Sequence, residues 1–164
     1  MQVLGYNRQG QFGGWATDAT TGCTTRELIL RDALIEQEMS ENECRVQNGW
    51  TIDPYTGNRL EVAHGDATDI EIDHIIPLSA AWDLGAYDWD DATRVAFAND
   101  PANLLAVSKE ANREKADQLP SQWLPPLRNF RCRYVNQMAE VALKYGLSLP
   151  QSDLKTMHKQ CLLS

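Results

Sequence analysis

The chain has 164 residues, of which 43% are hydrophobic and 23% charged, a size and balance that suit one globular domain with its own hydrophobic core. No apolar run reaches the ~18–20 residues that cross a bilayer, and the opening from Met1 to Trp15 lacks the apolar stretch of a signal peptide. The protein therefore either stays in the cytoplasm or is secreted by a leader outside this sequence. A net charge of −8 argues against a protein that holds nucleic acid by overall positive charge.

The charge is uneven. Between Glu61 and Asp100 there are ten acidic residues and one base, Arg94. Between Lys109 and Arg133 there are six bases against three acids. Local field matters more than total charge for docking a phosphate, so a polyanion remains an admissible substrate.

In chain order, residues 1–22 are rich in Gly, Gln and Thr and predict an irregular arm. Thr24-Thr25-Arg26-Glu27 fits a capping box and opens a helix to about Met39, with Leu28, Leu34 and Ile35 among its core residues. Asn48-Gly49 is a hairpin-turn signal between residues 44–47 and 50–52, and residues 53–58 form a second turn cluster. Residues 68–78 alternate as a strand does, with Ile70 and Ile72 against Glu71 and Asp73. Residues 79–85 and 91–98 predict two short helices, residues 103–107 a brief strand, and residues 108–117 a helix with Ser108 as N-cap. Two further helices follow, at about 129–145 and 152–161. The whole is expected to be one domain spanning 1–164, with an arm and helix over 1–43, a core at about 68–118 and C-terminal helices over 127–161.

The four cysteines, Cys23, Cys44, Cys132 and Cys161, form no CxxC pair, so their spacing does not suit a structural zinc site. Two disulfides with three possible connectivities are one outcome, and four buried thiols in a reducing compartment are the other. Pairing neighbours, Cys23 with Cys44 and Cys132 with Cys161, would bracket one helix each.

Four polar residues suit one small chemical device: Asp73, His74, Asn103 and Asn112. Magnesium takes hard oxygen ligands and keeps waters, so one carboxylate and one amide oxygen form an adequate protein site. A neutral imidazole beside it can take a proton from water. Adjacent side chains on a strand point to opposite faces, so Asp73 and His74 share a site only where the strand ends or bends, and Pro77 favours such a break. Glu71 lies on the Asp73 side of the strand, as a surface carboxylate or an outer contact. The acidic run from Asp66 to Asp91 does not fit an EF-hand loop. His64 and His158 fit no motif. Trp50, Trp82, Trp89 and Trp123 are expected in the core rather than as base-stacking surfaces.

At these residues the chain resembles the HNH endonuclease superfamily. Asp73-His74-Ile75-Ile76-Pro77 is similar to the first motif of that family, Asn103 to its central asparagine, and Asn112, nine residues on, to its last metal ligand. More of the chain resembles small secreted bacterial HNH nucleases, through Gly22-Cys23-Thr24-Thr25-Arg26, Asp53-Pro54-Tyr55-Thr56-Gly57, Ala81-Trp82, Phe97-Ala98-Asn99-Asp100-Pro101 and Trp123-Leu124-Pro125-Pro126. The resemblance implies an α+β fold with a ββα-metal (His-Me finger) core, peripheral helices and a small β-hairpin. It implies a metal-dependent endonuclease that hydrolyses DNA with low sequence specificity, leaving 5′-phosphate and 3′-hydroxyl ends. In that device Asp73 and Asn112 hold one divalent ion, Mg²⁺ or a substitute such as Mn²⁺, His74 is the general base, and Asn103 ties the loop that aims it. The 28 residues between His74 and Asn103 leave room for a helical insertion. Arg113 and Lys115, on the same helix as Asn112, are candidate phosphate contacts. The expected partner is DNA, with no membrane association and a monomeric chain. An inhibitor or immunity protein is expected if the nuclease is an antibacterial toxin, and action on RNA or a catalytically silent HNH scaffold are the alternatives.

Overall fold

A computed structural model describes residues 2–162; the ends of the expected domain, Met1 and residues 163–164, lie outside the described residues. The fold is α+β, with seven α-helices and five strands in two small sheets among the described residues. A short helix α1 (Arg8–Phe12) opens the chain, followed by α2 (Thr25–Ala33) and the strands β1 (Ile35–Met39), β2 (Val46–Ile52) and β3 (Arg59–Val62). These three form an antiparallel sheet in the order β1-β2-β3. Next come β4 (Ile70–His74), α3 (Leu78–Asp83), α4 (Asp91–Ala98), β5 (Leu104–Ser108) and α5 (Lys109–Lys115). The long helices α6 (Arg131–Tyr145) and α7 (Gln151–Leu162) close the chain.

Three expectations for the first third are corrected. The arm is not irregular throughout, because Asn7 caps α1, accepting from the Gly10 amide at 2.8 Å, and Phe12 is fully buried beside Phe97. The helix that begins at the Thr24 capping box ends at Ala33, not Met39. Leu34 turns extended, and Ile35, half exposed, pairs with Trp50 instead of entering the core. Leu30 rather than Leu28 carries that helix's buried contact. Asn48-Gly49 is no turn. It lies inside β2, where Gly49 pairs with Val62, and the reversal falls at residues 53–58. There the Asp53 carboxylate accepts from the Tyr55 amide and the Thr56 hydroxyl, an Asx-type turn, so the strong Asn48-Gly49 signal is overridden by the pairing of β2 with β3 through Gly49 and Val62.

The pair β4–β5 separates two apolar clusters. Ile70 and Ile72 of β4, with Leu104 and Ala106 of β5, face a cluster completed by Leu30, Leu34, Val46 and Val62. Val107, Ile75 and Ile76 face the larger cluster beneath α1, α3, α4, α6 and α7. Period-two alternation lets one ribbon serve both sides. The expected disulfides are both present, Cys23–Cys44 and Cys132–Cys161. They close loops of 21 and 29 residues, which in a chain-entropy account stabilises the fold by about 3–4 kcal/mol each.

Candidate active site

Strand β4 runs antiparallel to β5 and pairs through to its last residue, His74 against Leu104. Because the strand ends there, Asp73 and His74 both reach one cleft of about 290 Å³, which Asn112, Arg113, Arg8 and Tyr6 also line. Helix α5 follows β5 directly from its Ser108 cap, whose hydroxyl accepts from the Ala111 amide. That capped start sets Asn112 one turn along, beside β4.

His74 is held on three sides. Its Nε2 lies 2.8 Å from the Ala98 carbonyl. A carbonyl only accepts, so Nε2 carries the hydrogen and Nδ1 keeps the lone pair. Ala98 is the last residue of α4, so the helical insertion between the strands is what fixes the imidazole tautomer. Trp15 stacks on the ring face, with centroids 5.6 Å apart and planes within 3°. Asn103, fully buried, accepts from the Ile76 amide at 2.8 Å and donates to the Ile76 carbonyl at 3.2 Å, while its own carbonyl accepts from the Ile75 amide. These three bonds pin the turn that follows His74.

Burial pushes the His74 imidazole down to about 4, against the Ala98 hydrogen bond, which favours the cation, and with help from the charges of Arg8 and Lys115. The ring is thus neutral at pH 7. A folded value below the ~6.5 of the unfolded chain means that the unfolded chain takes up the proton first as pH falls. The associated stability is complete above about pH 6.5 and declines from there toward pH 4, by roughly 3 kcal/mol. Denaturation of the parent and of His74→Gln at pH 7 and pH 4.5 will show the parent losing more stability, by about 2–3 kcal/mol. Equal losses would contradict the buried neutral imidazole.

Asp73 is gripped from inside the protein. Its carboxylate accepts from the Tyr55 hydroxyl at 2.5 Å, and Lys115 Nζ stands 2.9 Å from both of its oxygens. Lys115 also donates to the His74 carbonyl at 2.8 Å. Burial pushes the Asp73 carboxyl up and the Lys115 ammonium down, and the attraction within the pair opposes both. Tyr55 is pushed far up by burial and by the Asp73 charge, so it stays a donor. Lys115, a candidate phosphate contact on sequence grounds, is fully buried and does not line the cleft. Of the two candidates only Arg113 is exposed; it pairs with Glu71 at 3.3 Å.

The chemistry of Asp73 and Asn112 fits a hard divalent ion. The Asn112 NH₂ donates to Glu71 at 2.7 Å, which leaves its Oδ1 without a protein hydrogen bond among the described residues. Tyr55 and Lys115 occupy only part of the acceptor capacity of the Asp73 carboxylate. No group of three or more His, Cys, Asp or Glu gathers among the described residues, so an ion here would rest on these two side chains and water, an arrangement Mg²⁺ tolerates.

Sequence reasoning did not find Tyr55, Ala98, Trp15 or Arg8. Tyr55 sits in the Asp53-to-Gly57 turn, and the turn chemistry alone did not indicate its direction. Ala98 acts through its backbone and gives no side-chain signal. Trp50, expected in the core, is only half-buried and lies under the Arg59 guanidinium, 4.1 Å from the ring centroid; Trp82 and Trp123 are buried as expected.

Comparison with known proteins defines the class of this domain. The chain matches the model of the GmrSD restriction endonucleases, C-terminal domain, over residues 24–159, and it belongs to that family. It is also 36% identical over 151 residues, 91% of this chain and 71% of the relative, to a protein of Arthroderma benhamiae that carries the name uncharacterized secreted protein. No solved structure matches.

Proposed function

We propose that this protein is a metal-dependent endonuclease that hydrolyses DNA phosphodiester bonds with low sequence specificity. The observation that carries this proposal is the neutral His74, its Nε2 fixed on Ala98 and its Nδ1 left as acceptor, bordering one cleft with Asp73 and Asn112. Membership of a restriction endonuclease domain family supports a nuclease role.

In this mechanism His74 Nδ1 accepts a proton from the attacking water, and the Ala98 carbonyl steadies the imidazolium that forms. Asn103 keeps the ring aimed through its bonds to Ile76. Asp73 and Asn112 would hold one divalent ion, Mg²⁺ or a substitute, and Glu71 accepts from the Asn112 amide NH₂ and so leaves its oxygen presented. Such an ion, when bound there, would supply polarisation of the phosphate and stabilisation of the leaving oxygen. Two disulfides and a relative named as secreted both accord with an extracellular setting.

The test is parallel digestion of supercoiled plasmid and of RNA, with Mg²⁺ or with EDTA. Nicked and then linear plasmid is expected with Mg²⁺ and none with EDTA. Preferential loss of RNA would move the substrate class while keeping the site. Intact plasmid and RNA with every divalent ion tried would overturn the proposal and favour a silent binding scaffold.

A further inference from the structure

The N-terminal arm brings one more cation into the cleft. Arg8, the first residue of α1, lines the cleft of Asp73, His74 and Asn112 and also an adjoining hollow under Trp15. Its side chain is exposed and makes no hydrogen bond or ion pair with any described residue. Asp117 lines the same cleft, and the chain carries a net charge of −8, yet Arg8 is not paired. The other guanidinium of the cleft, Arg113, is already held by Glu71. The charge of Arg8 is felt at His74.

The backbone beneath this arginine is fixed. Phe12 is fully buried, Asn7 caps the helix, and the Gln11 amide group donates to the Gly5 carbonyl at 2.6 Å. On either side of the helix the arm is tied to the insertion, by the Val3 amide on Asp83 at 2.7 Å and the Ala16 amide on Asn99 at 2.8 Å. A guanidinium on an anchored backbone, bordering the general base and not engaged by a carboxylate, has the geometry of an anion receptor. Its planar fork matches two oxygens of one phosphate.

We propose that Arg8 is a substrate-binding residue that grips the phosphodiester presented to His74, making the N-terminal arm part of the active site. This rests on the nuclease proposal. It also accounts for how an acidic protein holds a polyanion: the cleft itself supplies the cation.

The test uses the full chain in EDTA, where nothing is cut, and a fluorescein-labelled DNA duplex followed by anisotropy over a range of salt concentrations. Arg8→Gln is expected to weaken binding roughly tenfold or more, the scale of one charged hydrogen-bonded contact. It should also reduce the slope of log affinity against log salt by about 0.9, the signature of one lost phosphate contact. Arg8→Lys should keep the slope while losing part of the affinity, because the charge remains and the fork does not. Unchanged affinity and slope in Arg8→Gln, alongside a parent that cuts plasmid with Mg²⁺, would overturn the role of Arg8 alone. A parent that neither binds the duplex nor cuts would overturn the nuclease proposal and Arg8 with it.

Discussion

Lys115→Met will lower the free energy of unfolding by about 3–5 kcal/mol, the cost of leaving one partner of a buried ion pair uncompensated. Lys115 is 0% exposed and its ammonium serves two acceptors, the Asp73 carboxylate and the His74 carbonyl. Methionine fills similar space but supplies neither the charge nor the hydrogen bonds. The Asp73 carboxylate, largely buried at the edge of the cleft, then keeps the Tyr55 hydroxyl but loses its charged partner, and the link from the end of α5 to the end of β4 is lost. For a domain of ordinary stability, about 5–15 kcal/mol, this is a large fraction of the total. Denaturant titration of Lys115→Met, Asp73→Asn and the double variant measures it. The double variant should recover much of the loss, since it removes both charges together. The exposed pair Arg113–Glu71 provides the contrast: Arg113→Met should cost less than about 1 kcal/mol. A Lys115→Met variant within 1 kcal/mol of the parent would contradict the structural account of the site.

What was legible in the sequence follows from how local each signal is. The β4 alternation, the Ser108 cap of α5 and the capping box of Thr24 and Glu27 are written within a few residues, and each element forms where those residues stand. The order of strand, helical insertion, strand and helix could therefore be traced, and Asp73, His74 and Asn112 do border one cleft. The end of α2 was less legible because residues 35–39 carry helix-favouring Glu and Gln, while their partner, β2, lies a hairpin away. Pairing of Ile35 with Trp50 decides the matter, and no local propensity reports it.

The supports of the site are long-range and for that reason were missed. Tyr55 reaches Asp73 across 18 residues, Ala98 reaches His74 across 24, and Lys115 reaches Asp73 across 42. A lysine in a helix reads as solvated by default, but Lys115 follows Asn112 by three positions and so shares its helical face. That spacing is the one signal that could have placed it beside Asp73, where the sequence alone suggested a phosphate contact. Arg8 and Trp15 carried no such mark, because a Gly- and Gln-rich stretch gives no period from which to project a side chain.

The larger effect on activity belongs to His74. General-base catalysis by a positioned side chain contributes about 10²–10⁴-fold, and three separate contacts position this one: Ala98 on Nε2, Trp15 on the ring face and Asn103 on the turn that follows. His74→Ala removes the proton acceptor while leaving Asp73, Asn112 and their supports in place. His74→Gln, closer in shape, tests whether any loss comes from packing under Trp15. Initial nicking rates of supercoiled plasmid at pH 7.5 with Mg²⁺, for the parent and both variants purified in parallel, put the proposed chemistry to the most direct trial. The parent is expected to nick, with both variants slower by about 10²–10⁴-fold and folded as the parent is. A variant that nicks as fast as the parent would rule out His74 as the general base.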